Sequence, residues 1–323
     1  MEFVKTVAKK LYINKIPGVN YLYRYVQDWS FVKYNNTADI DICTICHSNC
    51  IYCLHQREKL VKPEIMDFGL FKKIVTILAS ENYNFIHLYQ SGEPMLHPKI
   101  YDMIELVSSL GIKVFIGTRL NAKIDFTKLE NVVSRLKSNV VFFITIDNIC
   151  EENIVSPGIN QELVQLNIRS LSHLLKYDNI TFTFSSIVTA DNEKDFESVR
   201  VYLNNLGFYD WSANSMGYYL WRYAPQKELD LMAKYIPKLN KYKDRFDIVN
   251  GKVKDKFKYC TNQMPSIDVH GNVSICCHDM THTTNLGNVV ELNSLRDIIG
   301  TKKYKEMVKL VRSRKLELCK SCN

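Results

Sequence analysis

The stretch CTICHSNCIYC, residues 43–53, places four cysteines within eleven positions. Three of them have the spacing Cys46-x3-Cys50-x2-Cys53. Three thiolates on one loop can ligate three irons of a [4Fe–4S] cluster and leave the fourth iron open to a small molecule. Structural zinc is the alternative, because a fourth ligand such as Cys43 would close a tetrahedral site.

Strand and helix patterns alternate along the chain that surrounds this stretch. Short apolar runs predict strands over 38–43, 85–90, 112–118, 140–147 and 180–188, with a weaker strand near 208–214. Near-continuous apolar strands are typical of a parallel sheet that is buried on both faces. The sequence therefore predicts an α/β fold of about six βα units, a partial (β/α)6 TIM-like barrel with its functional groups at the carboxyl ends of the strands.

Apolar stripes at helical spacing separate the predicted strands. They comprise Phe71, Ile74, Val75 and Leu78; Ile100, Ile104 and Val107, between Pro98 and Gly111; Val164, Ile168, Leu171 and Leu175; and Phe196, Val199, Leu203 and Leu206, before Gly207. Four regions follow from these patterns: an N-terminal extension over 1–37, the barrel over 38–224, a helical connector over 225–257 and a small Cys-rich module over 258–323.

Composition limits the partners and the compartment. No apolar run reaches 18 residues and no signal peptide is present, so a cytoplasmic protein without a membrane partner is expected. Ten cysteines in such a protein indicate metal or redox chemistry rather than disulfides. The net charge is +8, and its densest segment is 300–320. An apolar stripe from Tyr304 to Val311 makes that segment a solvated helix face, which argues against a nucleic-acid partner.

Two motifs together resemble the radical S-adenosylmethionine (radical SAM) superfamily. One is Cys-x3-Cys-x2-Cys after the first strand, with the aromatic Tyr52 before its last cysteine. The other is QSGEPMLHP after the second strand, which is similar to the family's Gly-Gly-Glu-Pro loop with Ser91 in place of the first glycine.

The resemblance implies a role for each matching residue. Cys46, Cys50 and Cys53 would ligate a [4Fe–4S] cluster whose fourth iron chelates S-adenosylmethionine (AdoMet). One electron from that cluster would cleave AdoMet to a 5′-deoxyadenosyl radical, which abstracts a substrate hydrogen. The cofactor-binding residues would be Tyr52, through its backbone toward the adenine, Ser91, Gly92, Glu93 and Pro94 in the loop that meets the methionine amine, and Thr145, Asp147 and Ser186 toward the ribose.

Two further residues are candidates for substrate contact. Arg119 stands where the family usually has asparagine, and its guanidinium could fork onto a carboxylate or phosphate of the substrate. Its alternative role is an ion pair with a nearby acid. Tyr89 is predicted to point into the barrel, where packing is the more common role. Cys43 and Cys150 are interpreted as buried free cysteines that pack as small hydrophobes.

A second cysteine cluster closes the chain. Its pattern is Cys260-x10-Gly271-x4-Cys276, followed by the terminal Cys319-x2-Cys322. A hairpin is predicted around Gly271. Zinc is also compatible with this spacing. The module resembles a short SPASM domain of the one-cluster, twitch type, which implies a second [4Fe–4S] cluster held by these four cysteines, with Cys277 left over.

Full ligation by four cysteines disfavours direct substrate binding and favours electron transfer. The resemblance thus implies a radical SAM oxidoreductase that oxidises a small molecule, and the module is most similar to that of 2-deoxy-scyllo-inosamine dehydrogenases. Those enzymes have a substrate-contacting tyrosine where this chain has Ser91, so a different mode of substrate binding is expected. The partners would be a small-molecule or peptide substrate and an electron donor such as flavodoxin or ferredoxin. The alternatives are a peptide-modifying radical SAM enzyme and a non-enzymatic zinc-binding module.

Overall fold

The computed structural model describes eleven segments of the chain. They are residues 37–53, 61–149, 156–215, 234–239, 248–249, 252–253, 264–276, 279, 282–299, 301–313 and 315–316. Most of the predicted N-terminal extension and connector lie outside the described residues, as do Cys150, Cys260, Cys277, Cys319 and Cys322.

Six parallel strands form the centre of the molecule. They are β1 Thr37–Ile40, β2 Phe85–Leu88, β3 Lys113–Thr118, β4 Val140–Thr145, β5 Ile180–Val188 and β6 Trp211–Ser215. Each strand pairs with the next one in chain order, and every pairing is parallel. The predicted fold class, a partial TIM-like barrel, is confirmed.

Within the described residues, five helices connect these strands. They are α1 Phe68–Ser80, α2 Ile100–Ser109, α3 Phe126–Val133, α4 Gln161–Leu171 and α5 Phe196–Asn205. Asp67, Asp125 and Asn160 begin α1, α3 and α4, each accepting a hydrogen bond from a backbone N–H of the first turn. The apolar stripes of α1, α2 and α5 are buried against the sheet as predicted, whereas α3 was not predicted.

One predicted core position is wrong. Leu175 is 45% exposed, while the neighbouring Leu174 is buried. The reason is local, because α4 tightens into a 3-10 helix over Ser172–Lys176 and the side-chain spacing changes from 3.6 to three residues per turn. Leu174 therefore takes the inward position that the helical period assigned to Leu175.

The C-terminal module extends the same sheet. After the small β7–β8 pair (Ile248–Val249 and Lys252–Val253), β9 Ser266–Ile267 lies parallel to β1. The strands β10 Asn272–Ser274 and β11 Gly287–Asn288 follow β9 in antiparallel order. The predicted hairpin is confirmed between β9 and β10, where Gly271 has a φ of 83° that favours glycine.

Two helices complete the module, α6 Arg296–Ile299 and α7 Lys302–Arg312. Tyr304, Val308 and Val311 of α7 are buried, so the basic segment is an amphipathic helix with its apolar stripe against the core. Among the described residues, no helix is both long and apolar enough to cross a membrane.

The β1–β9 pairing predicts that the module and the barrel share one core. Ile267 is fully buried in β9, so the Ile267→Ala variant should lower the free energy of unfolding by about 2–5 kcal/mol. Denaturant unfolding followed by barrel fluorescence measures this effect. The control is Val290→Ala at a position 59% exposed, and equal losses in both variants would contradict the shared core.

Candidate active site

The carboxyl ends of the parallel strands surround a cavity of approximately 470 Å³. This is the edge of such a sheet at which ligands usually bind. The cavity wall contains groups from the cysteine loop and from β2 through β6. Its lining residues include Cys46, Ser48, Cys50, Tyr52, Cys53, Tyr89, Gln90, Ser91, Gly92, Glu93, Phe115, Thr118, Arg119, Phe143, Thr145, Ser185, Ile187 and Asn214.

Residues 44–53, here called the cluster loop, follow β1. The structure brings Cys46, Cys50 and Cys53 to the same cavity. Cys43 is buried outside that lining, and its thiol contacts the Ile45 carbonyl oxygen at 3.7 Å. Burial raises the pKa of the Cys46 thiol to about 11. A thiolate at this position therefore needs a cationic partner in the cavity.

Residues 91–94, which follow β2, are called the SGEP loop. Gly92 permits this loop to pack on the start of the cluster loop. A Cβ atom at Gly92 would lie 2.3 Å from the Cys43 carbonyl oxygen and 2.7 Å from that of Ile45. The Glu93 N–H also donates to the Ile45 carbonyl at 2.8 Å. Because the neighbouring atoms are backbone, no side-chain rotation can make room for a larger residue at position 92.

A second glycine approaches the cluster loop closely at His47 and Asn49. Gly158 has a φ of 83°, and a Cβ there would lie 2.6 Å from the His47 carbonyl oxygen. Next to it, the Asn49 N–H donates to the Pro157 carbonyl at 2.7 Å. The segment after β4 thus packs directly on the cluster loop.

Glu93 ties the SGEP loop to the end of β3. Its buried carboxylate accepts hydrogen bonds from the Thr118 hydroxyl at 2.6 Å, the Arg119 N–H at 2.9 Å and the Met95 N–H at 3.1 Å. Burial nevertheless raises the pKa of Glu93 above its ordinary value. Contact of Glu93 with the AdoMet amine stays a prediction, while the protein contacts make it a brace between two loops.

Asn121 makes contacts within the site that the sequence did not predict. Its amide donates to the Ser48 hydroxyl at 3.1 Å and to the Gly158 carbonyl at 3.0 Å, and its oxygen accepts from the Asn160 N–H at 3.0 Å. The available signal was its position just after β3, within GTRLN. Asn121 connects the cluster loop to the segments that follow β3 and β4.

Arg119, Tyr52 and Asp147 form one hydrogen-bonded group, in which Arg119 and Tyr52 line the cavity and the fully buried Asp147, predicted to lie toward the ribose, is outside the lining. Arg119 pairs with Asp147 at 2.8 Å and also donates to the Tyr52 hydroxyl. Tyr52 in turn donates to the Asp147 carboxylate at 2.7 Å. The ion-pair interpretation of Arg119 is thereby favoured over a fork onto substrate, because both terminal nitrogens already have partners.

The other predicted cofactor residues differ in their placement. Thr145 lines the cavity, whereas Pro94 begins a 3-10 helix, Pro94–Leu96, outside the lining. Ser186 is also outside it, because its hydroxyl donates to the Ile146 carbonyl and accepts from Trp211. Strand alternation puts its neighbour Ser185 on the cavity wall instead.

Tyr89 belongs to an aromatic wall inside the barrel. Its ring centroid lies 5.8 Å from that of Phe115, and Phe115 stacks on Phe143 at 5.4 Å. Tyr89 is 37% exposed and lines the cavity. On the next two strands, β5 and β6, the Asn214 amide donates to the Ser185 hydroxyl at 2.7 Å. One wall is therefore aromatic and the other polar.

A buried acid lies behind the SGEP loop. The Asp41 carboxyl is approached by the Ser91 N–H and hydroxyl and by the Cys43 N–H. Within the described part of the chain, Asp41 Oδ1 and Ser91 Oγ make no hydrogen bond of ordinary geometry. Burial, with the charge of Asp268 added to it, raises the pKa of Asp41 to about 7.

The cysteine geometry fits a cluster better than a single ion. Three thiols face one cavity, and the backbone approach at Gly92 leaves that cavity open beside them. In a cubane cluster each thiolate binds a different iron, so its ligands surround a volume.

The second cysteine site is described in part. Cys276 is buried at the end of β10, and its carbonyl accepts from the Asp279 N–H at 3.0 Å. The Asp279 carboxylate accepts hydrogen bonds from the N–H and hydroxyl groups of Thr283 and Thr284 at 2.6–3.0 Å. The turn after Cys276 is thus fixed by one buried carboxylate.

A family model for the SPASM iron–sulfur cluster-binding domain matches residues 259–323. Two curated proteins are similar in sequence. Uncharacterized protein MJ0907 of Methanocaldococcus jannaschii is 24% identical over 263 residues, which cover 78% of this chain and 87% of that protein. The tungsten-containing aldehyde ferredoxin oxidoreductase cofactor-modifying protein of Pyrococcus furiosus is 25% identical over 175 residues, or 52% of this chain and 48% of that protein.

The fold is also similar to the solved structure of native anSMEcpe with bound AdoMet and the Kp18Cys peptide. The identity is 16%, the match covers 88% of each chain, and the TM-score is 0.58. The chain therefore shares its fold with anSMEcpe, and its residues 259–323 match the SPASM iron–sulfur cluster-binding domain.

The raised pKa of Asp41 predicts a pH-dependent stability. Folding favours the protonated acid, so its contribution is complete below the unfolded pKa near 4 and is lost as pH rises through 7. Relative to Asp41→Asn, the wild type should lose up to about 3 kcal/mol of unfolding free energy between pH 5 and pH 8. Denaturant titrations of both proteins at the two pH values measure this loss, and a constant difference would contradict the buried acid.

Proposed function

We propose that the chain is a radical SAM oxidoreductase that removes a hydrogen atom from a small-molecule alcohol and completes a two-electron oxidation with the help of an auxiliary cluster. The observation that carries this proposal is the meeting of Cys46, Cys50 and Cys53 with the SGEP loop at one cavity. A cytoplasmic donor of the flavodoxin or ferredoxin type would supply the electron.

The cofactor supplies the radical chemistry. When bound, a [4Fe–4S] cluster and AdoMet would supply the one-electron chemistry that removes a hydrogen atom from the substrate. The three thiolates of the cluster loop would hold the cluster. Ser91, Gly92, Thr145 and the backbone near Tyr52 border the space for AdoMet.

The two walls of the cavity support a small substrate with one apolar face. The aromatic wall of Tyr89, Phe115 and Phe143 can pack against the C–H face of a sugar or cyclitol ring, and Ser185 and Asn214 can bind its hydroxyl groups. The cavity volume lies in the range typical of small-molecule sites.

The C-terminal module supports the oxidative outcome. The SPASM domain is an iron–sulfur cluster-binding domain, and we infer that Cys260, Cys276, Cys319 and Cys322 ligate its cluster. Its β9 pairs with β1, and the Ser266 hydroxyl contacts the Gln90 side chain of the cavity wall at 3.1 Å. This contiguity favours electron transfer between the cavity and the module.

Peptide modification is the second candidate. The anSMEcpe structure, which shares this fold, contains a bound peptide, and the P. furiosus relative is described as a cofactor-modifying protein. The aromatic wall of the cavity would also accept a peptide side chain. The two candidates differ in the substrate and share the radical step.

Cysteine variants test the radical step. The anaerobically reconstituted wild type should bind iron and sulfide and form 5′-deoxyadenosine from AdoMet in the presence of dithionite. Cys46→Ala should reduce this product to background, because one cluster ligand is lost. The matched control is Cys43→Ala, three residues away, which should retain activity since Cys43 lies outside the cavity lining. Equal activity in both variants, or zinc in place of iron, would overturn the proposal.

Deuterium transfer tests the substrate class. Ring-deuterated cyclitols and amino sugars, and Cα- and Cβ-deuterated peptides, should each be incubated with the reduced enzyme and AdoMet. We expect deuterium in 5′-deoxyadenosine, together with a ketone product three mass units lighter than the deuterated alcohol from which it forms, only from the cyclic alcohols. Transfer from peptides alone would reject the alcohol and favour peptide modification.

A further inference from the structure

The cluster loop ends at a side chain that reaches across the cavity wall. Tyr52 immediately precedes Cys53 and is only 7% exposed. Its hydroxyl donates to the Asp147 carboxylate, which belongs to the segment after β4. A hydrogen bond that spans 95 positions in sequence therefore connects the last cysteine of the loop to the barrel.

Arg119 joins the same two groups from the end of β3. One terminal nitrogen donates to Asp147 at 2.8 Å, the other donates to the Tyr52 hydroxyl, and the guanidinium carbon lies 5.9 Å from the Tyr52 ring centroid. The side chains of Arg119 and Asp147 are 12% and 0% exposed. These contacts are thus protected from the screening that weakens surface ion pairs.

Asp147 is itself fixed by groups behind it. The Ile187 N–H donates to Oδ1 of Asp147 at 2.8 Å. The Ser156 hydroxyl donates at 3.1 Å to Oδ2, the oxygen that also binds Tyr52 and Arg119. A carboxylate held by β5 and by the segment after β4 is a rigid point to which the loop can be tied. A rigid partner is what lets a buried ion pair specify geometry.

We propose that Arg119 is a positioning residue that, through Tyr52 and Asp147, latches the C-terminal end of the cluster loop so that Cys50 and Cys53 face the cavity. The latch consists of these three side chains, Tyr52, Arg119 and Asp147. The proposal rests on one part of the proposed function, namely that the loop cysteines hold a cluster. It does not depend on the substrate, because the mobility of the loop can be measured without turnover.

The chemistry of the latch requires arginine. A planar guanidinium presents two terminal nitrogens at once, one to a carboxylate and one to a phenol oxygen. A lysine retains the charge and offers a single nitrogen, so Arg119→Lys removes the fork without leaving Asp147 unpaired. Tyr52→Phe removes only the hydroxyl, which makes the two variants complementary probes.

The experiment uses the full-length reconstituted protein and two readouts. Hydrogen–deuterium exchange reports the mobility of residues 44–53. The electron paramagnetic resonance spectrum of the dithionite-reduced protein, with and without AdoMet, reports the environment of the cluster. The matched control is Arg135→Gln, which removes an exposed arginine that pairs with Glu105 at 3.0 Å on the surface.

We expect Arg119→Lys and Tyr52→Phe each to speed exchange in residues 44–53 about tenfold, the factor equivalent to about 1.4 kcal/mol of local stability. We also expect altered g values with AdoMet at unchanged iron content, and a double variant no worse than the worse single one. Arg135→Gln should behave as the wild type.

Two results would overturn the latch. One is that both variants show the same exchange rates in residues 44–53 and the same electron paramagnetic resonance spectra as Arg135→Gln. The other is faster exchange spread evenly over β2 to β5, which would assign Arg119 to general stability. If the wild type holds no cluster, the proposed function fails, and the exchange measurement still decides for or against the latch.

Discussion

The close approach of Gly92 to the backbone of residues 43–45 is the contact on which the site depends. Since a Cβ at this position would lie 2.3 Å from a carbonyl oxygen, only glycine lets the SGEP loop rest on the cluster loop. Gly158 makes a similarly close approach to the backbone of His47. Between them the cluster loop is held with its thiols toward the ends of the strands, which is the place where a parallel sheet offers a cavity.

Buried hydrogen bonds then hold the loops in the positions that the two glycines allow. Glu93 connects the SGEP loop to β3, Asn121 connects β3 to the cluster loop, and Asp147 connects β4 to Tyr52. Each brace is buried and uses a carboxylate or an amide with several partners, as buried polar groups must if they are not to destabilise the fold. The sheet extends this frame to the SPASM domain through β9, so the cavity and the auxiliary site share one scaffold.

Much of the fold, and the meeting of Cys46, Cys50 and Cys53 at one cavity, could be predicted from the sequence. Strand β5 was predicted at its observed bounds, because its apolar run is long and bounded on both sides. Leu175 was misplaced because a 3-10 turn alters the helical period. Ser186 was predicted toward the ribose, whereas its neighbour Ser185 lines the cavity, because alternation fixes which residues share a face but not which face is inward. The groups that contact the side chains of Arg119 and Asn121 lie 28 to 73 positions away, and no local pattern specifies such contacts.

The central claim is that three thiolates of the cluster loop leave one iron free to bind AdoMet. Electron–nuclear double resonance on the reduced protein with AdoMet labelled by ¹⁵N at the methionine amine tests it most directly. The account predicts a hyperfine coupling between ¹⁵N and the cluster that disappears in Cys50→Ala. A reduced cluster that shows no ¹⁵N coupling at saturating AdoMet would contradict it.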